Sequence, residues 1–149
     1  MVRANLLGGW PFVLMATIQI KKPVLEAVVR HAREEAPLEC CGLLMGQQDV
    51  ITLHQPMKNA LESNVRYAME PRALLQFFKN LRAADQKHLG IYHSHPASEA
   101  YPSETDVRES FYPDCAYFIV SLQNSGSPQV RAFQIANANV AELEIIEVD

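Results

Sequence analysis

Two histidines separated by a single residue are the most chemically informative feature of the sequence. They form the segment His93-Ser94-His95-Pro96, which follows an apolar run typical of a β-strand. Because alternate side chains of a strand point to the same face, both imidazoles project together, with Cα atoms about 6.5 Å apart. Two imidazoles at that spacing can converge on one metal ion. The pair is equally compatible with two partly exposed histidines at a strand end, since imidazole has many other uses.

A serine and an aspartate downstream of the histidines add a third candidate ligand. Six residues separate Pro96 from Ser103, and Asp106 follows three positions later. Ser-x-x-Asp is also a common helix start, in which the serine is the N-cap and the aspartate lies in the first turn. The two interpretations are compatible, because a helix that begins there can aim Asp106 back at a metal. Together with the histidines, Asp106 would leave a fourth coordination position open, which is typical of catalytic zinc.

The combined motif resembles the signature of the JAMM (MPN-plus) metalloproteases. The resemblance covers roughly residues 16–148, nearly the whole chain, by the ordering of its helices and strands. The matching segments are His93-Ser-His-Pro96, Ser103-x-x-Asp106, the upstream Pro37-Leu-Glu-Cys-Cys-Gly-Leu-Leu-Met-Gly46, and Gly90-Ile-Tyr before the histidines.

The resemblance implies a zinc ion, one per chain, held by His93, His95 and Asp106. A hydrolytic site of this kind also needs a base, which composition alone does not identify among 17 acidic residues. The family pattern assigns that role to Glu39, which would take a proton from water and return it to the leaving amine. Ser103 would hold the water or stabilise the developing oxyanion. Seen alone, Glu39 would be a solvated residue between a helix and a strand.

The resemblance also implies a substrate class. Family members commonly cleave peptide or isopeptide bonds after the C-terminal Gly-Gly of ubiquitin or a ubiquitin-like protein. The short segment between Glu39 and Asp106 leaves little room for the insertions of larger relatives, so the chain is similar to the small stand-alone prokaryotic branch. We therefore expect the substrate to be a ubiquitin-like sulfur-carrier protein (MoaD/ThiS-like). A zinc amidase or peptidase acting on small peptides or cell-wall amides is one alternative, and a non-catalytic MPN scaffold is another.

The surrounding elements predict one α/β domain. Helical apolar stripes predict helices beginning at Pro23 and Pro71, and the Ser-x-x-Asp pattern predicts a short helix beginning at Ser103. The family resemblance implies a JAMM/MPN-like (cytidine-deaminase-like) sandwich, with a mixed, mostly antiparallel sheet flanked by helices. Alternation and turn residues predict strands over 18–20, 39–46, 50–56, 65–69, 89–95, 115–122, 129–135 and 143–148.

Residues 1–14 are expected to be a dispensable N-terminal extension, followed by the domain at 15–149. The apolar run from Leu6 to Met15 has some likeness to a signal peptide, but two glycines and a proline interrupt it and no clean cleavage site follows. Met15 directly precedes the first predicted strand, which suits a start of the domain.

Composition and charge exclude some classes of protein. The net charge of −4, without a basic stripe, argues against nucleic-acid binding, and no apolar stretch reaches the length that spans a membrane. Cys40, Cys41 and Cys115 form no disulfide framework, so we expect reduced thiols in the cytoplasm. The oligomeric state and any approach of Cys40 or Cys41 to the metal stay open. His31 and His88 are expected to face solvent.

Overall fold

The computed structural model describes residues 2–3, 13–124 and 126–149. Its helices within those ranges are α1 (Lys22–Glu35), α2 (Pro71–Ala83) and α3 (Glu104–Arg108). Among the described residues, no helix has the length and apolar character that a membrane span requires. The strands are β1 (Val2–Arg3), β2 (Val13–Leu14), β3 (Thr17–Lys21), β4 (Cys41–Gln47), β5 (Val50–Met57), β6 (Lys87–His95), β7 (Ala116–Ser121), β8 (Gln129–Ala136) and β9 (Asn139–Val148).

Seven of the described strands form one sheet that closes on itself in the order β3-β5-β4-β6-β7-β8-β9. The β3–β5, β3–β9 and β6–β7 pairs are parallel, and the other pairs are antiparallel. The predicted α/β class with a mixed, mostly antiparallel sheet is confirmed, but the sandwich is in fact a closed barrel. Closure depends on two residue pairs between β3 and β5, which local sequence patterns do not encode. The likeness to cytidine deaminases stays a prediction.

The predicted strand over residues 65–69 is wrong, because that segment is a loop between β5 and α2. Its backbone groups bond to the side chains of Asn59 and Ser63 and to the Ala60 N–H, and not to a neighbouring strand. The Arg66 carbonyl accepts from Asn59 Nδ2, and the Ala68 N–H donates to Asn59 Oδ1. Alternating apolar residues therefore gave a false strand signal here.

The sheet carries an apolar cluster on each face. Tyr92 is fully buried in the first cluster, together with Val28 of α1. Ile91 belongs to the second cluster, together with Phe77 of α2. Because neighbouring residues of a strand point to opposite faces, His93 lies on the face of Ile91. The two helices and the two clusters hold β6 between them, and the candidate ligands are at its carboxyl end.

The N-terminal residues form a separate element where they are described. Val2–Arg3 and Val13–Leu14 pair as two antiparallel strands that do not join the closed sheet. Residues 1 and 4–12 of the expected extension lie outside the described residues. That residues 1–14 are dispensable stays a prediction.

The three cysteines are free and buried. Burial raises the pKa of the Cys40, Cys41 and Cys115 thiols to about 12. Protonated thiols are poor nucleophiles and poor metal ligands at neutral pH. None of the three belongs to the cluster of converging metal-ligand atoms in the described part of the chain.

Candidate metal centre

The structure brings the three predicted ligands together at one point. His93 and His95 lie at the end of β6, and Asp106 lies in the first turn of α3. The Nε2 atoms of the two histidines are 3.1 Å apart, and each is 3.1 Å from Oδ2 of Asp106. Both imidazoles are buried. The three atoms form an equilateral triangle whose centre all of them face.

The end of β6 is held in place by Ser94, the residue between the histidines. Ser94 points to the opposite face of the strand. Its N–H donates to the Cys40 carbonyl at 3.2 Å, and its Oγ accepts from the Cys40 N–H at 2.8 Å. Cys41 is the register partner of His93. These contacts fasten the histidine segment to the stretch of chain that carries Glu39.

A capping box fixes Asp106. Ser103 Oγ accepts from the Asp106 N–H at 3.0 Å, and the Ser103 N–H donates to Asp106 Oδ2 at 2.9 Å. The oxygen that caps the helix is therefore the one that faces the histidines. The two interpretations of Ser-x-x-Asp describe the same carboxylate. Ser103 itself is exposed, so its hydroxyl is accessible from solvent.

Hydrogen bonding fixes the tautomer of His95. Its Nδ1 lies 2.7 Å from the carbonyl oxygen of Glu99, which can only accept, so Nδ1 carries the proton. Nε2 of the neutral ring then presents a lone pair to the centre of the triangle. His93 is held differently. Its Nδ1 has no hydrogen-bond partner among the described residues, and its ring stacks on Tyr67 with 4.7 Å between centroids.

The electrostatics of the triangle favour a cation at its centre. Burial would raise the pKa of Asp106, but hydrogen bonds from His93 and His95 outweigh it and hold that pKa well below its usual range. Burial would lower the pKa of His95, but the Asp106 hydrogen bond and the Glu99 carbonyl raise it. Those hydrogen bonds require protons on Nε2 of the histidines; once the protons are lost, the lone pairs of the two imidazoles and the carboxylate repel one another unless a metal cation lies between them. Two nitrogens and one oxygen form a donor set that suits zinc.

Glu39 is buried next to the triangle. It is 3% exposed, which excludes the solvated position that it would have as a linker residue. Its Oε1 has no hydrogen-bond partner among the described residues. Burial raises the pKa of Glu39 to about 7, while the charge of His95 lowers it and that of Asp106 raises it. A carboxyl group with a pKa near neutrality can both accept and release a proton.

An apolar pocket of about 190 Å³ borders the site. Tyr67 is in its wall, and so are Leu43, Ile91 and Tyr117 of the neighbouring strands. Ile91 lies two residues before His93 on the same face of β6, with Cα atoms about 7 Å apart, and Tyr67 in the pocket wall stacks directly on the His93 ring. Sequence reasoning missed Tyr67, because it lies in the segment wrongly predicted as a strand.

Two other histidines differ from the prediction. His31 is partly buried, and its Nδ1 lies 2.8 Å from the Tyr92 hydroxyl. His88 is also partly buried and contacts the rings of Phe77, Phe78 and Tyr112. The expectation that both face solvent is therefore wrong, because charged neighbours along the chain do not indicate which way a ring points.

Comparisons with known proteins agree with the geometry. A family model described as prokaryotic homologs of the JAB domain (Prok-JAB) matches residues 21–136. The CysO-cysteine peptidase of Mycobacterium tuberculosis is 37% identical over 125 residues, which cover 83% of this chain and 86% of that protein. A probable TtuB-protein conjugate cleaving protease of Thermus thermophilus is 32% identical over 130 residues, 87% of this chain and 83% of that protein.

A solved structure supports the same fold. The solution structure of a Desulfitobacterium hafniense protein, 36% identical, superposes with a TM-score of 0.81 and covers 89% of this chain and 94% of that one. The chain therefore belongs to the prokaryotic JAB family. This confirms the predicted resemblance to the small prokaryotic JAMM/MPN proteins, and the matched range includes Glu39, His93, His95, Ser103 and Asp106.

Proposed function

We propose that this protein is a zinc metallopeptidase that hydrolyses the amide or isopeptide bond after the C-terminal Gly-Gly of a ubiquitin-like sulfur-carrier protein (MoaD/ThiS-like). The observation that carries the proposal is the convergence of His93, His95 and Asp106 beside the buried carboxyl group of Glu39. The substrate class is supported by two relatives, a CysO-cysteine peptidase and a probable TtuB-protein conjugate cleaving protease.

His93, His95 and Asp106 would hold the zinc ion, which supplies a Lewis acid for the carbonyl and makes water more acidic. Glu39 would take the proton of the attacking water and deliver it to the leaving amine, for which a pKa of about 7 is well matched. The exposed Ser103 hydroxyl would donate to the oxyanion. The capping box and the contacts of Ser94 hold these groups before substrate binds, which lowers the cost of reorganisation.

A diglycine tail suits the surroundings of this site. It has no side chains, so it can lie extended in a narrow groove and bind through its backbone. The apolar pocket beside Tyr67 offers space for one apolar side chain near the tail. A cytoplasmic location is part of the proposal, and the three free, buried cysteines support it.

The test is cleavage of carrier–cysteine and carrier–lysine conjugates by the zinc-loaded protein, followed by mass spectrometry. We expect release of the intact carrier ending in Gly-Gly, loss of activity on chelation, and recovery when Zn²⁺ is restored. A conjugate whose terminal glycine is replaced by valine is the matched control and should resist cleavage. No cleavage across the panel would reject this substrate class.

The same panel separates the two alternatives. Short free peptides cleaved as fast as carrier conjugates would favour a zinc amidase that acts on small peptides. A protein that binds no metal after incubation with Zn²⁺ would favour a non-catalytic MPN scaffold. Metal content by atomic spectroscopy is therefore measured before any substrate is added.

A further inference from the structure

The side chain of Asn59 folds the loop from Asn59 to Ala68, here called the Asn59 loop, onto itself. Asn59 Nδ2 donates to the carbonyl oxygens of Ser63 at 3.3 Å and Arg66 at 2.9 Å. Its Oδ1 accepts from the N–H groups of Leu61 at 3.1 Å and Ala68 at 3.3 Å. Asn59 is only 9% exposed, so water does not readily replace these bonds.

The Asn59 loop is fastened to the backbone of Glu39. Asn59 Nδ2 lies 3.1 Å from the Glu39 carbonyl oxygen, and the Glu39 N–H donates to the Ser63 carbonyl at 2.9 Å. Since Nδ2 carries two protons, its three carbonyl partners share them. Both backbone groups of Glu39 are thus bound by the loop. Displacing the loop would move the proposed base.

The Asn59 loop also holds His93, through Tyr67. The ring of Tyr67 stacks on the imidazole of His93 with an interplanar angle of 28°. His95 is oriented by its bond to the Glu99 carbonyl, but Nδ1 of His93 has no such partner in the described ranges. Metal-binding histidines are usually oriented by a hydrogen bond from the second ring nitrogen. For His93 the stacked ring takes the place of that bond.

We propose that the Asn59 loop is a positioning element of the metal centre, in which Tyr67 sets the ring plane of His93 and Asn59 holds both Tyr67 and the Glu39 backbone in place. Neither residue donates an atom to the ligand triangle. Their effect on turnover rests on the proposed function, whereas their effect on metal affinity does not. Loss of an interaction that orients a ligand typically weakens metal affinity by about 10- to 100-fold.

The first measurement is the affinity for Zn²⁺ alone, obtained by competition with a chromophoric chelator. Tyr67→Leu removes the ring face and should weaken affinity by about tenfold, at the low end for such changes. Tyr67→Phe keeps the ring and should bind Zn²⁺ like the wild type. Equal affinity of Tyr67→Leu and the wild type would overturn the proposal, and so would a Tyr67→Phe variant as weak as Tyr67→Leu. Thermal melting of each metal-free variant identifies any that fail to fold.

A double-mutant cycle tests whether Asn59 acts through Tyr67. Asn59→Ala should weaken Zn²⁺ binding. Adding Tyr67→Leu should cause little further loss, because both changes remove the same support of the His93 ring. Full additivity would reject the coupling. Asn64 lies in the same loop with an exposed side chain, so Asn64→Ala is the matched control and should be unchanged. Asn59→Ser keeps a short hydroxyl and places no charge beside the three carbonyl oxygens, so it replaces Asn59→Ala if that variant does not fold.

Turnover at saturating Zn²⁺ separates the orientation of His93 by Tyr67 from the positioning of the Glu39 backbone by Asn59. Tyr67→Leu should regain kcat once the metal site is filled, whereas Asn59→Ala should keep a lowered kcat because the Glu39 backbone is still loosened. Full recovery by both variants would overturn the link to Glu39. If the variants show the coupled losses of Zn²⁺ affinity but the wild type cleaves no carrier, the proposed function fails and the positioning of His93 stands. A wild type that binds no Zn²⁺ would overturn both.

Discussion

At the scale of single residues, several side chains of the candidate site combine a structural contact with a proposed chemical role. Oδ2 of Asp106 caps α3 and faces both histidines. Ser94 fastens β6 to Cys40 while its neighbours on each side reach the triangle. Glu39 combines deep burial with a pKa of about 7. Substitutions therefore have to be chosen so that one task is removed and the other is kept.

Glu39→Gln removes a proton carrier and keeps the size of the side chain. We expect kcat to fall by at least about 100-fold, with bound zinc retained, because Glu39 is not one of the converging ligands. His95→Ala should lose zinc as well as turnover. Glu34 is exposed on α1, so Glu34→Gln is a control that should behave like the wild type. A fully active Glu39→Gln enzyme would show that another group is the base.

His88 should make the fold sensitive to mild acid. Burial lowers the pKa of His88 to about 4, against an ordinary value of 6.5, so below pH 6.5 the unfolded chain takes up a proton that the folded chain does not. Stability is then lost as the pH falls from 6.5 towards 4, by up to about 3 kcal/mol in the free energy of unfolding. Denaturant unfolding of the wild type and His88→Gln between pH 6.5 and 4 measures the free energy of unfolding of each. If that free energy depended on pH in the same way in both proteins, the prediction would be contradicted.

At the scale of elements, the contact between β4 and β6 decides where the histidines lie. Gly42 and Tyr92 are register partners, and the Tyr92 ring crosses the position that a Gly42 side chain would occupy. A Cβ at Gly42 would lie 2.3 Å from the Tyr92 ring, whose side chain is fully buried. Tyr92 is adjacent to His93 in the chain. The absence of a side chain at Gly42 therefore lets β6 keep its path to the metal centre.

Gly42→Ala should destabilise the protein by about 1–3 kcal/mol, the usual cost of overpacking a core. Displacing Tyr92 should also shift His93 and weaken Zn²⁺ binding. A Cβ at Gly126 would have its nearest neighbouring atom 3.8 Å away, an ordinary contact distance, so Gly126→Ala should be nearly neutral. Chemical denaturation of the three proteins makes the comparison. Equal stability of Gly42→Ala and the wild type would mean that Tyr92 can move at little cost.

At the scale of the whole molecule, closure of the sheet separates the domain from the N-terminal residues. The pair formed by Val2–Arg3 and Val13–Leu14 lies outside the closed sheet. Met15, by contrast, is buried and its N–H donates to Gln134 Oε1 at 2.8 Å. These contacts support the prediction that the domain begins at Met15, next to β3.

Deletion of residues 1–12 should leave the melting temperature, Zn²⁺ affinity and turnover unchanged. The cut is placed before Val13 because a chain beginning at Met15 would put a charged amine at the buried contact with Gln134. A deletion of residues 1–14 is the comparison: it should still fold and keep its activity, as expected of a dispensable extension, but with a lower melting temperature for that reason. Loss of folding in the shorter deletion would show that the N-terminal residues belong to the domain.

Much of the site could be predicted from sequence because its parts are local. His93 and His95 share a strand face by simple alternation, and Ser103 and Asp106 share one capping box. Most helices and strands were also predictable from periodicity. The segment 65–69 was not, since its backbone partners are supplied by Asn59, Ala60 and Ser63, which lie outside the segment.

The donor types, their spacing and the resemblance to a known family could all be recognised from the order of residues. The tertiary structure decided that the sheet closes, that Glu39 is buried next to the triangle, and that Tyr67 stacks on His93. The physical reason is the range of the interactions involved. Strand alternation and helix capping act within a few residues, whereas burial and ring stacking join segments that only the folded chain brings together.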